Sequence, residues 1–212
     1  MIRVLVTNLK GGCGKTTIAT NLAGAFAHGG LVTALAEVDR QQSSLEWLKL
    51  RPAEAAPILA LDWRKSVSDE PSGVQRLVID APANLRMKEV ELLIAEADIV
   101  IVPVLPSIFD EGSTRRFVHR LEEIKPIRKG KKGVLLVANR LRSRNRATQR
   151  LETFLNEIEM PPVARLADRA LYAELATQGL TVFDPQSGRA ALQGQQIRAE
   201  WRPLLRAVED EA

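Results

Sequence analysis

The sequence predicts an α/β fold in which a mostly parallel, twisted sheet is covered by helices on both faces. Short, continuous apolar runs alternate with helical segments along the chain, which is typical of buried parallel strands. Hydrophobic residues make up 45% of the sequence and aromatic residues only 4%, so we expect an aliphatic core. A chain of 212 residues fits one domain of this class, and residues 1–212 are predicted to form it.

The strands are predicted from apolar runs that are rich in β-branched residues and bounded by polar turns. In chain order they cover residues 2–6, 31–38, 58–63, 76–80, 99–104, 133–138, 163–166 and 181–183. The helices are predicted from longer segments with helical periodicity. They cover residues 18–26, 42–50, 88–97, 111–124, 144–158 and about 189–208. This alternation indicates that a helix follows most strands and covers one face of the sheet.

The most informative segment is the loop Lys10-Gly11-Gly12-Cys13-Gly14-Lys15-Thr16-Thr17, which joins the first strand to the first helix. Its glycines let the backbone direct successive N–H groups into one concavity, and the helix N-terminus adds its positive dipole. Lys15 would reach the β- and γ-phosphates, the Thr16 hydroxyl would hold Mg²⁺, and Cys13 would contribute only its backbone. The segment therefore predicts a P-loop NTPase that binds ATP and Mg²⁺.

The loop departs from the usual P-loop pattern in one informative way. Leu9 stands where that pattern has a glycine, and a second lysine, Lys10, begins the loop. In this respect the loop resembles the deviant Walker A motif of the ParA/MinD family of ATPases. The resemblance implies an ATP hydrolase that is slow without its partner and that forms an ATP-sandwich homodimer. Lys10 would reach across that dimer to the partner's phosphates and act in catalysis together with Lys15.

Two strand ends resemble the acidic motifs of the same family. Asp80 ends an apolar run and resembles the Walker B acid, which implies that it holds Mg²⁺ together with Thr16. The segment Glu37-Val-Asp39-Arg-Gln41 resembles switch I, although Glu37 replaces an aspartate and Arg40 a proline. Asp39 is the candidate to orient the attacking water, since phosphoryl transfer depends mainly on positioning and charge stabilisation. A direct role for Glu37 at the metal is left open.

Residues for the nucleotide base follow from the resemblance alone. Asn139 ends a predicted strand and would hydrogen-bond the adenine ring, because an amide offers a donor and an acceptor. Phe183-Asp-Pro185 stands where family members often close the adenine pocket, so Pro185 is predicted to contact the nucleotide. Asp110 either serves the dimer interface or caps the helix that follows it.

Basic residues are concentrated in one part of a chain whose net charge is only +4. No acid lies between Arg128 and Arg150, and arginines crowd the start of a predicted helix, where the dipole favours acids. A solvated face is one interpretation. The resemblance favours another, nonspecific DNA binding through phosphate contacts. The candidate DNA-binding residues are Arg142, Arg144, Arg146, Arg198 and Arg202.

The resemblance implies a nucleoid-associated positioning ATPase whose hydrolysis is stimulated by an adaptor, either ParB-like or cargo-specific. The cargo would be a plasmid, a chromosome locus or a protein body such as a carboxysome. A MinD-like membrane-associated regulator is the alternative, but the C-terminal acids Glu209, Asp210 and Glu211 would be repelled by an anionic membrane. A metabolic enzyme on the same scaffold is a third class, which one cysteine and the lack of an obvious substrate-binding insertion disfavour.

The sequence also predicts a cytoplasmic location without a membrane partner. No apolar stretch approaches the ~20 residues of a spanning helix, and Lys10 interrupts the N-terminal apolar run, so no signal peptide is expected. Because no segment precedes the first strand, no N-terminal helix-turn-helix extension is expected either.

Overall fold

A computed structural model of the chain describes residues 1–67, 70–143, 145–184 and 187–211. Seven strands in these ranges join one sheet: β1 (Ile2–Val6), β2 (Thr33–Glu37), β3 (Ile58–Asp62), β4 (Arg76–Asp80), β5 (Ile99–Val104), β6 (Gly133–Leu141) and β7 (Ala164–Ala167). Their order is β3-β2-β4-β1-β5-β6-β7, and every pair of neighbouring strands is parallel. The predicted α/β fold with a parallel sheet is confirmed.

Helices occupy most of the connections between strands. They are α1 (Lys15–His28), α2 (Ser43–Leu50), α3 (Met87–Ala95), α4 (Ile108–Glu123), α5 (Lys125–Arg128), α6 (Arg146–Glu157), α7 (Ala170–Ala176) and α8 (Gly188–Asp210). The sequence predicted all of these except α5 and α7, which are too short to show a helical period.

Two apolar layers cover the two faces of the sheet. Side chains alternate between the faces along β1, so that Val4 and Val6 join one layer and Leu5 the other. The first layer packs beneath α1 and α8 and includes the fully buried Trp201. The second packs beneath α3, α4 and α6 and includes Phe117. The prediction of helices on both faces is therefore confirmed.

The carboxyl ends of the central strands meet at one edge of the sheet. Val6 of β1 and Glu37 of β2 both lie beside Asp80 of β4 in the strand register. The loops that follow these strands consequently converge at that edge, which is where α/β sheets bind ligands.

The strand predicted at residues 181–183 is wrong. This segment forms a turn, in which the Asp184 carboxylate accepts hydrogen bonds from the Thr181 amide (2.7 Å) and hydroxyl (2.8 Å). Val182 and Phe183 are nevertheless buried. The Phe183 ring packs edge-on against Trp201 of α8, with 5.8 Å between ring centroids. The apolar signal therefore came from packing beneath α8 and not from a place in the sheet.

Candidate functional site

A cavity of about 450 Å³ lies at the carboxyl edge of the sheet, over the loop between β1 and α1. The loop contributes three glycines and three side chains to its wall, namely Gly11, Gly12, Gly14, Lys15, Thr16 and Thr17. Asp39, Gln41 and Ser43 come from the segment after β2. The structure thus brings the predicted phosphate loop and the predicted switch I residue Asp39 together around one space.

The loop backbone opens the N-terminus of α1 toward this cavity. Gly14 precedes the helix with φ of 90° and, as a glycine, has no side chain to cap the first N–H groups of α1. A Cβ atom at Gly14 would clash with Asn139 Nδ2, and the positive φ also favours glycine there. Uncapped N–H groups at a helix start form a site for an anion such as phosphate.

Lys15 is held inside the loop. Its side chain is buried, and Nζ donates a hydrogen bond of 2.8 Å to the carbonyl of Lys10. The neighbouring Cys13 is also buried, and burial raises the pKa of its thiol. A neutral, enclosed thiol offers no reactive group, which agrees with the expectation that Cys13 contributes only its backbone.

Lys10 lies outside the cavity wall. Its ammonium forms an ion pair with Asp110 at the start of α4, with 2.9 Å between Nζ and Oδ1. The Lys10 amide donates to the Asn8 side chain, whose Nδ2 donates in turn to the carbonyl of Pro103. Asn8 thus ties the start of the loop to β5. The sequence analysis did not identify Asn8, although an asparagine two residues before a turning backbone is a known signal for such a bond.

Asp80 is a buried carboxylate with no hydrogen-bond partner for either oxygen among the described residues. Burial, and next the negative charge of Glu37, raise the pKa of Asp80 to about 7, although the nearby Thr16 hydroxyl and the charge of Lys15 oppose this shift. A buried charge without a partner is costly unless a cation neutralises it. Carboxylate oxygens are ligands that Mg²⁺ prefers, and Thr16 lines the adjoining cavity. These residues fit the Mg²⁺ site that the sequence predicts.

Glu37 organises the segment that carries Asp39. It is fully buried, and its Oε1 accepts a hydrogen bond of 2.8 Å from the Asp39 amide. Its Oε2 accepts from both the amide (2.8 Å) and the hydroxyl (2.7 Å) of Ser44. Both carboxylate oxygens of Glu37 are therefore engaged in holding switch I. The sequence pattern alone specifies neither this contact of Glu37 nor the part that Ser44 plays in it.

A second cavity, of about 430 Å³, adjoins the first on the side of β6 and β7. Asn139 lines it, and so do residues 167–170, which run from the end of β7 to the start of α7. The Asn139 amide is partly engaged already, because Nδ2 donates to the Cys13 carbonyl (2.8 Å) and Oδ1 accepts from the Arg140 amide (2.9 Å). Asn139 thus fastens the phosphate loop to β6 beside this second cavity.

Two residues of the segment predicted to close the base pocket, Phe183 and Asp184, are among the described residues. Phe183 and Asp184 line neither of the two cavities. Asp184 forms a buried ion pair with Arg51, with 2.7 Å between Arg51 Nη2 and Oδ1. Pro185 is outside the described residues. Residues 167–170 line the second cavity, and their composition offers no signal for that position.

The arginines proposed for DNA binding differ in their surroundings. Arg142 is exposed but pairs with Asp168 (2.9 Å), and Arg198 is half-buried and donates to the carbonyl of Val182 (2.9 Å). Acids from other elements similarly neutralise Arg150, Arg165 and Arg169. Arg146 and Arg202 are exposed, with no acidic partner among the described residues. Arg144 is outside the described residues.

Comparison with known proteins defines the class of this protein. The family described as the CobQ/CobB/MinD/ParA nucleotide binding domain matches residues 4–182, and the chain belongs to it. The predicted membership of the ParA/MinD family is confirmed, and with it the assignment as a nucleotide-binding P-loop ATPase.

Individual relatives agree with this membership. The maintenance of carboxysome distribution protein A of Halothiobacillus neapolitanus is 30% identical over 186 residues, which cover 84% of this chain and 85% of that protein. The ATP complex of a singly substituted McdA from Cyanothece has a similar structure, with a TM-score of 0.74 at 14% identity over 100% of this chain and 96% of that chain. The structure of the MinC:MinD cell division protein complex of Aquifex aeolicus is also similar, with a TM-score of 0.74 at 14% identity. The match covers 100% of this chain and 97% of that chain. At these identities the two structures support the fold.

Proposed function

We propose that this protein is a ParA-type positioning ATPase that forms an ATP-sandwich dimer, binds nonspecific DNA and releases it when an adaptor stimulates hydrolysis. Family membership supports nucleotide binding and hydrolysis in general. The cavities described above fit a nucleotide whose phosphates lie over Lys15 and whose base lies beside Asn139. The dimer, the DNA and the adaptor are supported by more specific features.

The position of Lys10 is the observation on which the proposed dimer depends. Lys15 already supplies the cavity with a cation from the same loop, whereas Lys10 lies outside the wall, with 41% of its side chain exposed. A second lysine in a phosphate-binding loop has no evident use for the nucleotide of its own chain from this position. It is available to a second copy that approaches the cavity mouth, once its bond to Asp110 is exchanged for a phosphate.

The chemistry of hydrolysis is assigned to three groups around the cavity. Thr16 and Asp80 would hold Mg²⁺, which neutralises charge on the β- and γ-phosphates. Asp39 would orient the attacking water from a backbone that Glu37 holds in place. Asp39 Oδ1 accepts a hydrogen bond of 2.9 Å from the Gln41 amide, and this bond restricts the orientation of the Asp39 carboxylate. Lys15 would bind the β- and γ-phosphates.

The cargo that the relatives favour is a protein body. The Halothiobacillus neapolitanus relative is named for carboxysome distribution, and it spans most of this chain at 30% identity. We therefore propose a cargo-specific adaptor on a protein compartment, in preference to a ParB-like protein on a plasmid or chromosome locus. Recovery of compartment shell proteins with a tagged Asp39→Ala variant in the native host would support this choice. Recovery of a centromere-bound protein in their place would contradict it.

The membrane-associated alternative is disfavoured by the packing of α8. The apolar side of this helix includes Trp201, Leu204 and Val208, which are fully buried in the core, so they are not available to a bilayer. No helix among the described residues is long and apolar enough to cross a membrane. Sedimentation with anionic liposomes in the presence of ATP separates the two functions, since only the MinD-like one predicts cosedimentation.

DNA binding is tested by the dependence of affinity on salt. In an Asp39→Ala background with ATP, Arg146→Ala combined with Arg202→Ala should weaken binding to unrelated duplexes alike. The slope of log affinity against log salt should fall by up to about 1.8, or about 0.9 for each lost phosphate contact. Arg150→Ala is the matched control, because Glu111 already neutralises that arginine (2.6 Å). An unchanged slope in the double variant would assign these arginines to a solvated face.

A further inference from the structure

Arg140 has a strained backbone at the end of β6. The register of β6 against β7 shifts between Ala138 and Leu141, which marks a β-bulge. Within it Arg140 adopts φ of 54°, in the left-handed region that bulky residues rarely occupy. Bulges of this kind redirect side chains beside functional sites, and strain persists where the surroundings enforce it. The Arg140 amide donates a hydrogen bond to Asn139 Oδ1 in this conformation.

The bulge places Arg140 at the junction of the two cavities. Arg140 and Thr17 are the two residues that line both the phosphate-loop cavity and the cavity beside β7. A nucleotide with its terminal phosphates in the first cavity and its base in the second must pass beside these two residues. The part of the molecule that occupies this passage is the α-phosphate with the ribose.

The Arg140 side chain has the chemistry to bind that group. It is exposed, and no acid among the described residues forms an ion pair with it. The nearby Arg142 and Arg169 are different, since each already has a carboxylate partner. A guanidinium donates hydrogen bonds in a planar fork that matches phosphate oxygens.

We propose that Arg140 is a nucleotide-binding residue that contacts the α-phosphate and its ribose at the junction of the two cavities. This inference rests on the proposed function, because it requires a nucleotide in the two cavities. The role proposed for Arg140 differs from that of Lys15 in the phosphate that is bound. Arg140 would bind the α-phosphate, whereas Lys15 would bind the β- and γ-phosphates. ADP and ATP share the α-phosphate, so both should depend equally on Arg140.

The test compares affinities for ADP and ATP by isothermal titration, with ATP measured in an Asp39→Ala background. Arg140→Asn removes the charge but suits a positive φ, and should weaken both nucleotides by the same factor, about tenfold. Arg140→Lys should lie between this variant and the unsubstituted protein. Arg128→Asn, at an exposed arginine of α5 that lines neither cavity, should change neither affinity. If Arg140→Asn fails to fold by circular dichroism, Arg140→Gly gives the same readout.

The outcomes separate this inference from the function on which it rests. Equal losses for ADP and ATP support the contact. Affinities within twofold of the unsubstituted protein, or a loss for ATP alone, would overturn it, because the latter result places the guanidinium at the γ-phosphate. If the unsubstituted protein binds neither nucleotide, the proposed function fails as well.

Discussion

Glu37 and Asp80 lie side by side on the neighbouring strands β2 and β4, yet their carboxylates are bound in opposite ways. Glu37 accepts hydrogen bonds at both oxygens, whereas Asp80 accepts none from the described residues. Both side chains are buried at the carboxyl edge of the sheet. One acid therefore fixes the polypeptide around the cavity, and the other is left for a cation.

The raised pKa of Asp80 predicts how stability depends on pH without Mg²⁺. Its pKa of about 7 lies above the ordinary value of 3.8, so between these values the folded protein keeps a proton that the unfolded chain releases. The free energy of unfolding should therefore fall by about 4 kcal/mol at most as the pH rises from about 4 to 7. Above about pH 7 it should level off. Urea denaturation at several pH values, with chelator present, measures this loss.

The variant Asp80→Asn isolates this contribution from that of other titrating groups. It should be more stable than the unsubstituted protein at pH 8 without metal, because no charge is buried. It should also lose the stabilisation by Mg²⁺ that we expect above pH 7. Equal pH dependence in the two proteins would mean that Asp80 is not the buried group responsible.

Glu37 is predicted to act on hydrolysis through the backbone of switch I. In Glu37→Gln an NH₂ group replaces one of the two oxygens that accept hydrogen bonds from the Asp39 and Ser44 amides. Because that NH₂ group cannot accept, one of these buried bonds is lost, and the free energy of unfolding should fall by about 1–3 kcal/mol. The hydrolysis rate should fall more than ATP affinity, because Asp39 loses its position while Lys15 is untouched. Steady-state kinetics and titration measure the two effects. Glu46→Gln, on the exposed side of α2, is the control and should change neither.

The buried pair of Arg51 and Asp184 is predicted to be a main anchor between α2 and the turn before α8. The two side chains are 5% and 1% exposed. Asp184→Ala should lower the free energy of unfolding by about 3–5 kcal/mol, because it leaves a buried guanidinium without its counter-ion. Glu152→Ala removes an acid from the more exposed pair with Arg165 and should change the urea midpoint little. Similar midpoints for the two variants would contradict this account.

The parts of the site that are continuous in sequence could be predicted, and those that depend on tertiary contacts could not. The phosphate loop is one segment whose glycines, lysines and flanking elements specify its shape, and it lies where the sequence indicated. The role of Ser44 depends on the Glu37 carboxylate, seven residues earlier in the chain. The role of Asn139 depends on the carbonyl of Cys13, which lies in a distant segment. Charge runs were a poor guide for the same reason, since acids from distant segments approach the arginines. The error at residues 181–183 arose because burial beneath a helix and burial in a sheet give the same apolar pattern.

If Lys10 completes an ATP-bound dimer, its removal must change the mass of the ATP-bound protein in solution. Light scattering during size-exclusion chromatography should give twice the chain mass of 23.4 kDa for Asp39→Ala with ATP and Mg²⁺, and the single-chain mass with ADP. Adding Lys10→Ala should return the ATP-bound protein to the single-chain mass, although ATP still binds by titration. A dimer that persists without Lys10, or a single-chain mass for Asp39→Ala under saturating ATP, would contradict the account.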